Sequence, residues 1–231
     1  MKRYLEKIGK NAQKAIVNKV NSKIKNKVLN KFSDLIKKNQ LKIIKENLKD
    51  INNAKKKGMK ENLISRLKLD RVKIKQIISS IETISKLKDP VNLTLKKWRR
   101  PNGLKIKKIT IPIGVIGIIY ESRPNVTADV SSLCFKSGNC IILKGGSEAR
   151  LSNKILANLF RKALQSQKID KNFVQFVDIK DRKVVNLILS KMKKYIDVII
   201  PRGGKNLVKK VQNLSTIPTI GHLEGICHSY V

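Results

Sequence analysis

The chain has 231 residues, of which 41% are hydrophobic and 4% aromatic, and its 52 Lys and Arg against 16 Asp and Glu give a formal net charge of +36. This length and apolar content exclude a disordered chain and predict a core of Ile, Leu and Val, as in helices packed on a parallel sheet. No stretch approaches the roughly 18 apolar residues of a membrane span, and the N-terminus lacks a signal-peptide core. We therefore expect an α/β protein in the cytoplasm.

The large positive charge has two explanations, a binding footprint for nucleic acid or anionic membranes, or compositional drift. Most of the basic residues are Lys, scattered through every segment, and aromatic residues are not interleaved with them. Proteins that read base edges or stack bases use Arg and aromatic side chains for those contacts. We favour drift, and we expect salt-sensitive binding to polyanions without a specific nucleic acid or membrane partner.

Residues 1–90 are predicted to form a helical segment. From Tyr4 to Ile51 apolar residues recur at three- and four-residue steps, with Lys on the other faces. Gly58 breaks this pattern, and a short helix is predicted at 63–67. Asp70 is predicted to cap a further helix, which Pro90 ends.

Residues 91–112 are predicted to form a β-hairpin arm. The segments LTLKKWRR and LKIKKIT flank the turn sequence PNG at 101–103, and the apolar period shortens toward two. Such an arm suits pairing with another subunit, so we expect a homo-oligomer. Trp98 is interpreted as a packing residue rather than a base-stacking platform.

Residues 113–231 alternate between predicted strands and helices. The predicted strands are 115–120, 140–144, 173–177, 196–200 and 226–231, and the predicted helices are 126–136, 147–165, 182–192 and 205–212. This alternation predicts a doubly wound, Rossmann-like parallel sheet whose ligand crevice lies at the carboxyl ends of the strands.

Three strand ends carry polar segments that should meet in this crevice: ESRPN at 121–125, KGGSEA at 144–149 and PRGGKN at 201–206. Paired glycines leave backbone amides bare, and a following helix start attracts phosphate or hydroxyl oxygens. KGGSEA or PRGGKN alone is equally compatible with an ordinary turn, and only their convergence favours a shared nucleotide ligand. The dinucleotide fingerprint GxGxxG is absent, and Gly114 and Gly117 are interpreted as sites of close helix–sheet packing.

The three cysteines, Cys134, Cys140 and Cys227, have no paired short spacing, so neither a disulfide framework nor a metal site is predicted. Cys227 precedes His228, but adjacent strand residues point to opposite faces, which opposes an activated thiol. We interpret all three as inert buried cysteines.

Three long segments together resemble a known family: IPIGVIGIIYESRPNVTADVSSLCFKSGNCIILKGGSEA, YIDVIIPRGGKNLVKKV and STIPTIGHLEGICHSYV. They are similar to the gamma-glutamyl phosphate reductase family, also called glutamate-5-semialdehyde dehydrogenase, a branch of the aldehyde dehydrogenase superfamily. The resemblance implies reduction of L-glutamate 5-phosphate by NADPH to L-glutamate 5-semialdehyde and phosphate, in proline biosynthesis. A cysteine thiolate attacks the acyl phosphate, and hydride reduces the resulting thioester.

The resemblance also implies roles for individual residues. Lys144 matches the superfamily lysine that touches the adenosine ribose or its 2′-phosphate, and Asn125 matches the asparagine that holds the developing oxyanion. The loop after Lys144 has one residue more than the common form, so either Ser147 or Glu148 makes the ribose contact. The other residues expected to bind the cofactor are Ser122, Arg123, Gly145, Gly146, Arg202, Gly203 and Gly204.

Two further expectations concern catalysis. Glu224 falls near the superfamily's general-base glutamate but stays unassigned, because reducing an acyl phosphate needs no thioester hydrolysis. The family's catalytic cysteine follows the ICHxYV strand within a separate domain, so we expect this chain to be the N-terminal, cofactor-binding part and to be inactive by itself. The remaining alternatives are a non-catalytic nucleotide-binding module and a basic polyanion-binding protein.

Overall fold

The structure, a computed structural model, describes residues 1–221 and 228–230 and confirms the predicted α/β class. Its N-terminal helices are α1 (Lys2–Ile16), α2 (Ser22–Lys38), α3 (Gln40–Lys56), α4 (Glu61–Leu67) and α5 (Arg71–Lys86). The helical stretch expected from Tyr4 to Ile51 is thus divided. The side chain of Asn21 starts α2 by accepting a hydrogen bond from Ile24 N–H at 2.9 Å, and Asn39 separates α2 from α3.

Asp70 caps α5 as predicted, because its side chain accepts a hydrogen bond from Lys73 N–H at 2.9 Å. The predicted hairpin is also present as β1 (Thr94–Arg99) and β2 (Lys105–Ile109), which pair antiparallel. Trp98 on β1 is 38% exposed, and its interpretation as a packing residue stays a prediction. Every residue of β1 and every residue of β2 except Ile106 is exposed in the part of the chain that the structure describes.

The rest of the chain builds a parallel sheet. Its elements are β3 (Val115–Tyr120), α6 (Asn125–Lys136), β4 (Cys140–Gly145), α7 (Arg150–Ser166), β5 (Val174–Phe176), α8 (Lys183–Lys191), β6 (Val198–Arg202) and α9 (Lys205–Leu214). The strand order is β5-β4-β3-β6, with every neighbour parallel. After α9, Ile199 bridges to Thr219. The predicted strand 226–231 lies mostly outside the described residues.

Several element boundaries differ from the sequence prediction, and two of the differences lie at the polar strand ends. The strand predicted at 196–200 begins and ends two residues later, as β6, so Pro201 and Arg202 are its last residues instead of following it. Residues Ser147–Ala149 form a 3-10 turn, and α7 begins only at Arg150.

One continuous apolar core joins the N-terminal helices to the sheet, extending from Leu5 on α1 to Ile217 beyond α9. All residues of β3 and β4 are buried, as expected for central strands covered on both faces. The buried Asp50 of α3 accepts hydrogen bonds from the N–H groups of Leu151 at 3.2 Å and Ser152 at 2.8 Å. This contact satisfies free amides at the start of α7 and fixes α3 to the sheet layer.

The expected role of Gly117 in β3 and of Gly114 just before it, close helix–sheet packing, is wrong. A Cβ on Gly117 would lie 3.2 Å from Ile199 and 3.3 Å from Ile196, which belong to β6 and the residues just before it. A Cβ on Gly114, which has φ +129°, would lie 2.1 Å from an Asp197 carboxylate oxygen. These glycines therefore allow close approach of the neighbouring strand segment.

Candidate functional site

The candidate site lies where the strand order changes direction. The chain leaves β3 toward β4 on one side, while β6 pairs with β3 on the other, so loops leaving β3 and β6 diverge and leave a crevice. This crevice has a volume of about 260 Å³. Its lining comprises Leu63, Arg66, Glu121, Ser122, Arg123, Val126, Arg202, Gly203 and Gly204.

Two carboxylates tie the three polar strand ends together. The N–H of Ser122 donates to Glu148 Oε1 at 2.9 Å, and the Ser122 hydroxyl donates to the same oxygen at 3.0 Å. Glu121 Oε2 accepts from the N–H of Gly204 at 3.0 Å. The first pair joins the segments after β3 and β4, and the second joins those after β3 and β6.

Ser122 has a backbone φ of +36°, which is sparsely populated for a residue with a side chain. Its two hydrogen bonds to Glu148 hold it in this conformation. Glu148 is therefore a structural link between two strand ends, while Ser147 beside it is exposed. The sequence had left open which of these two residues faces a ligand.

Lys144 lies at the end of β4 and is only 7% exposed. Its Nζ donates to the carbonyl of Gly145 at 2.6 Å. Burial lowers the pKa of this ammonium, while the nearby charges of Glu148 and Asp178 raise it. Gly145 cannot carry a side chain, because a Cβ there would lie 2.2 Å from Asn153 Nδ2 and 3.0 Å from the Tyr120 ring.

Asn125 does not line this crevice. It opens α6, and its Nδ2 donates to Asp129 Oδ2 at 3.1 Å. Both residues line a neighbouring pocket of about 300 Å³, which shares Arg66 with the crevice. The other predicted site residues lie at the converging strand ends, whereas Glu224 lies outside the described residues.

Sequence reasoning missed four residues that line the crevice, one of which is the apolar Val126 of α6. Glu121 was quoted in ESRPN but given no role, and Arg66 and Leu63 come from the α4 segment, which had been assigned no chemistry. Glu121 could have been found by asking which carboxylate at one strand end can accept a hydrogen bond from the glycine amides at another. No local pattern distinguishes Arg66 from the many other basic residues on the N-terminal helices.

The two described cysteines are unsuited to nucleophilic catalysis. Cys134 lies in α6 and Cys140 begins β4, and both are buried. Burial raises the pKa of the Cys134 thiol to about 12 and also raises that of Cys140, where the charge of Asp170 adds to the effect. Thiols with such pKa values carry almost no thiolate at neutral pH.

Neither a metal site nor a membrane helix emerges from the described ranges. No group of three or more His, Cys, Asp or Glu side chains in 1–221 and 228–230 is arranged to hold a metal ion. Among the same residues, no helix combines the length and apolar character needed to cross a bilayer.

Comparison with solved structures identifies the class. The chain shares the fold of a probable aldehyde dehydrogenase from Listeria monocytogenes, with a TM-score of 0.70 at 15% identity over 95% of this chain and 46% of that one. Together with the crevice at the strand-order reversal, this fold defines an aldehyde dehydrogenase-like α/β protein. No profile of a known protein family matches the chain.

The particular relatives are gamma-glutamyl phosphate reductases. The chain is 43% identical to that of Sulfurihydrogenibium sp. (strain YO3AOP1), over 100% of this chain and 52% of the relative, and 47% identical to that of Alkaliphilus oremlandii, over 92% and 51%. The crystal structure of gamma-glutamyl phosphate reductase from Thermotoga maritima matches with a TM-score of 0.90 and 37% identity, over 93% of this chain and 52% of that one. The chain is a homologue of the N-terminal part of these enzymes and spans about half their length.

Proposed function

We propose that this chain forms the dinucleotide-binding part of a cytoplasmic gamma-glutamyl phosphate reductase. The whole enzyme would reduce L-glutamate 5-phosphate to L-glutamate 5-semialdehyde and phosphate, in proline biosynthesis. The observation that carries the proposal is the convergence of three polar strand ends at the reversal of strand order, linked by Glu121 and Glu148. NADPH, when bound, supplies the hydride for this reduction.

The residues of the crevice fit a dinucleotide diphosphate. The N-terminal end of α9 opens into the crevice at Gly203 and Gly204, and backbone N–H groups at a helix start favour anions. Arg66, Arg123 and Arg202 also line it and add positive charge. The diphosphate would displace Glu121 from the Gly204 amide, because both are anionic acceptors for the same donor.

Lys144 is the residue that favours binding of NADPH over binding of NADH in this proposal. Its ammonium has three donors, and the hydrogen bond to Gly145 uses one of them. A buried ammonium with spare donors gains more from a phosphate partner than an exposed one does, since less solvent screens the pair. We assign the ribose contact beside it to Ser147, because Glu148 is engaged by Ser122.

Two further roles belong to the whole enzyme. Asn125 would donate its amide to the developing oxyanion, and its hydrogen bond to Asp129 holds that amide at the start of α6 before substrate binds. The β1–β2 hairpin would pair with a second copy, since all of its strand residues except Ile106 are exposed among the described residues.

The test is a titration of the 231-residue protein with NADPH at near-physiological salt, in which binding is measured by the fluorescence of the nicotinamide. The decisive variant is Gly204→Val. Gly204 has φ −69°, and a Cβ added there would have Glu121 Oε2 as its nearest neighbour, at 3.9 Å, so the backbone accepts a residue with a side chain, and valine leaves the net charge unchanged. It covers the α9 N-terminus, and we expect at least about a tenfold loss of NADPH affinity, the equivalent of one charged hydrogen bond.

Ser79→Val on the exposed side of α5 is the matched control and should bind like the native chain. Saturable binding that both variants retain would place NADPH elsewhere and contradict the proposal. Binding that disappears with modest added salt and competes equally with heparin would instead support a general polyanion binder.

A further inference from the structure

A second pocket adjoins the crevice and contains none of the residues expected to bind the cofactor. It lies between the α4–α5 segment and α6, has a volume of about 300 Å³ and contains Asn125 and Asp129. Arg66 lines both this pocket and the crevice, so the two cavities are neighbours. A small ligand in the second pocket would therefore lie next to a cofactor in the first.

One side of the pocket is a carboxylate without a counter-ion. Asp129 is half-buried, and its two oxygens accept hydrogen bonds from Ser80 Oγ at 3.2 Å and Asn125 Nδ2 at 3.1 Å. Both donors are neutral, and no Lys, Arg or His of the described residues approaches Asp129 within ion-pair distance. Burial raises the pKa of this carboxyl, as expected for a charge that lacks a cation.

The other side of the pocket is cationic. The Arg66 side chain is exposed and makes no hydrogen bond or ion pair with another described residue. Lys73 and Lys68 also line the pocket; Lys73 Nζ donates one hydrogen bond to the Ser65 carbonyl at 2.7 Å, and Lys68 Nζ lies 3.8 Å from Asp70 Oδ2. The guanidinium of Arg66 can therefore bind a carboxylate through two parallel hydrogen bonds.

We propose that this pocket binds the α-amino-acid end of the substrate, with the ammonium at Asp129 and the α-carboxylate at Arg66. The inference rests on the proposed function, because L-glutamate 5-phosphate carries this group at the end opposite its acyl phosphate. A zwitterionic group satisfies both the unpaired carboxylate and the unpaired guanidinium. A free phosphate would satisfy Arg66 but would be repelled by Asp129, and a metal ion would find one carboxylate where it needs several ligands.

The experiment measures binding of three stable probes to the 231-residue chain by ligand-observed NMR. L-glutamate has both groups, glutarate lacks the α-ammonium, and 4-aminobutyrate lacks the α-carboxylate. We expect L-glutamate to bind about tenfold more tightly than either analogue, since each lost charged contact removes roughly 1.5 kcal/mol or more. Equal binding of the three probes by the native chain, or no binding of any, would overturn the proposal without requiring a variant to fold.

Two variants then assign the contacts. Asp129→Asn should remove the advantage of L-glutamate over glutarate, and Arg66→Gln should remove its advantage over 4-aminobutyrate. Asp34→Asn and Arg3→Gln, at exposed positions outside the pocket, are matched controls that should preserve both ratios. Retention of both ratios in Asp129→Asn and Arg66→Gln would place the amino-acid end elsewhere.

These outcomes separate this inference from the proposed function. NADPH binding that is sensitive to Gly204→Val, together with equal binding of the three probes, would sustain the cofactor site and reject the amino-acid pocket. Tighter binding of L-glutamate than of either analogue, together with NADPH binding that is insensitive to Gly204→Val, would sustain the pocket and reject the cofactor assignment.

Discussion

The carboxylate of Glu121, directly after β3, accepts a hydrogen bond from the backbone N–H of Gly204 at the start of α9, with an Oε2–N distance of 3.0 Å. A negative side chain at this position offsets the positive end of the helix dipole and satisfies a free amide. The same amide is the anion-binding group proposed for the diphosphate. The protein therefore holds an internal anion where the ligand anion would bind.

Replacing Glu121 should have opposite effects on stability and affinity. Glu121→Gln removes the charge that competes for the Gly204 amide, so we expect NADPH to bind a few-fold more tightly, while the unliganded protein loses about 0.5–1 kcal/mol of unfolding free energy. Titration calorimetry and urea unfolding measure the two quantities. Glu6→Gln on α1, which lines neither cavity, is the control. Weaker NADPH binding by Glu121→Gln would show that Glu121 contacts the ligand directly.

Lys144 should determine the preference between the two nicotinamide cofactors. We expect NADPH to raise the melting temperature more than NADH at equal concentration, and to bind about tenfold more tightly, through one charge-assisted contact to the extra phosphate. Lys144→Gln should make the two cofactors equivalent, whereas Lys162→Gln on the exposed face of α7 should not. Equal shifts by NADH and NADPH in the native chain would contradict the assignment of Lys144.

Asp129 should make the folded protein less stable as the pH rises. Burial raises the pKa of its carboxyl above the ordinary value of 3.8. The folded state then holds this proton more tightly than the unfolded state, so stability is complete below the unfolded pKa and is lost as the pH rises through the folded one. The Asp129→Asn variant does not lose stability in this way, because its amide does not ionise, and its side-chain oxygen can still accept the hydrogen bond from Ser80. The stability of this variant relative to the native chain should therefore increase from acidic to neutral pH.

Urea unfolding at about pH 4 and at pH 7 measures this difference. If the stability of Asp129→Asn relative to the native chain instead decreases from the acidic to the neutral pH, a cation stabilises the Asp129 carboxylate in the folded protein. Asp34→Asn is again the matched control, because Asp34 is exposed.

The 231-residue polypeptide by itself should show no oxidation of NADPH that depends on L-glutamate 5-phosphate. Cys134 and Cys140 are buried with raised pKa values, so both should resist iodoacetamide at about pH 8 until the protein is unfolded. Peptide mass mapping after alkylation tests this. Cys227 lies outside the described residues, so turnover that disappears in Cys227→Ala would overturn the expected inactivity.

Local sequence patterns determined much of the architecture. The Val and Ile run at Val115–Tyr120 predicted β3 with its observed bounds, since a strand buried on both faces must be apolar throughout. Asp70 predicted the start of α5 because a capping side chain acts within three residues. The same local chemistry marked KGGSEA and PRGGKN as strand ends with exposed amides.

The tertiary structure alone decided how these segments combine into a site. Glu121 and Gly204 are 83 residues apart in the chain, Ser80 and Asp129 are 49 apart, and Ser122 and Glu148 are 26 apart. Periodicity and capping describe neighbours within a turn or two, so they assign no role to a carboxylate whose partner lies on another strand or helix. The sequence thus determined which groups reach the carboxyl edge of the sheet, whereas packing decided that Glu121 covers α9 and that Arg66 connects two cavities.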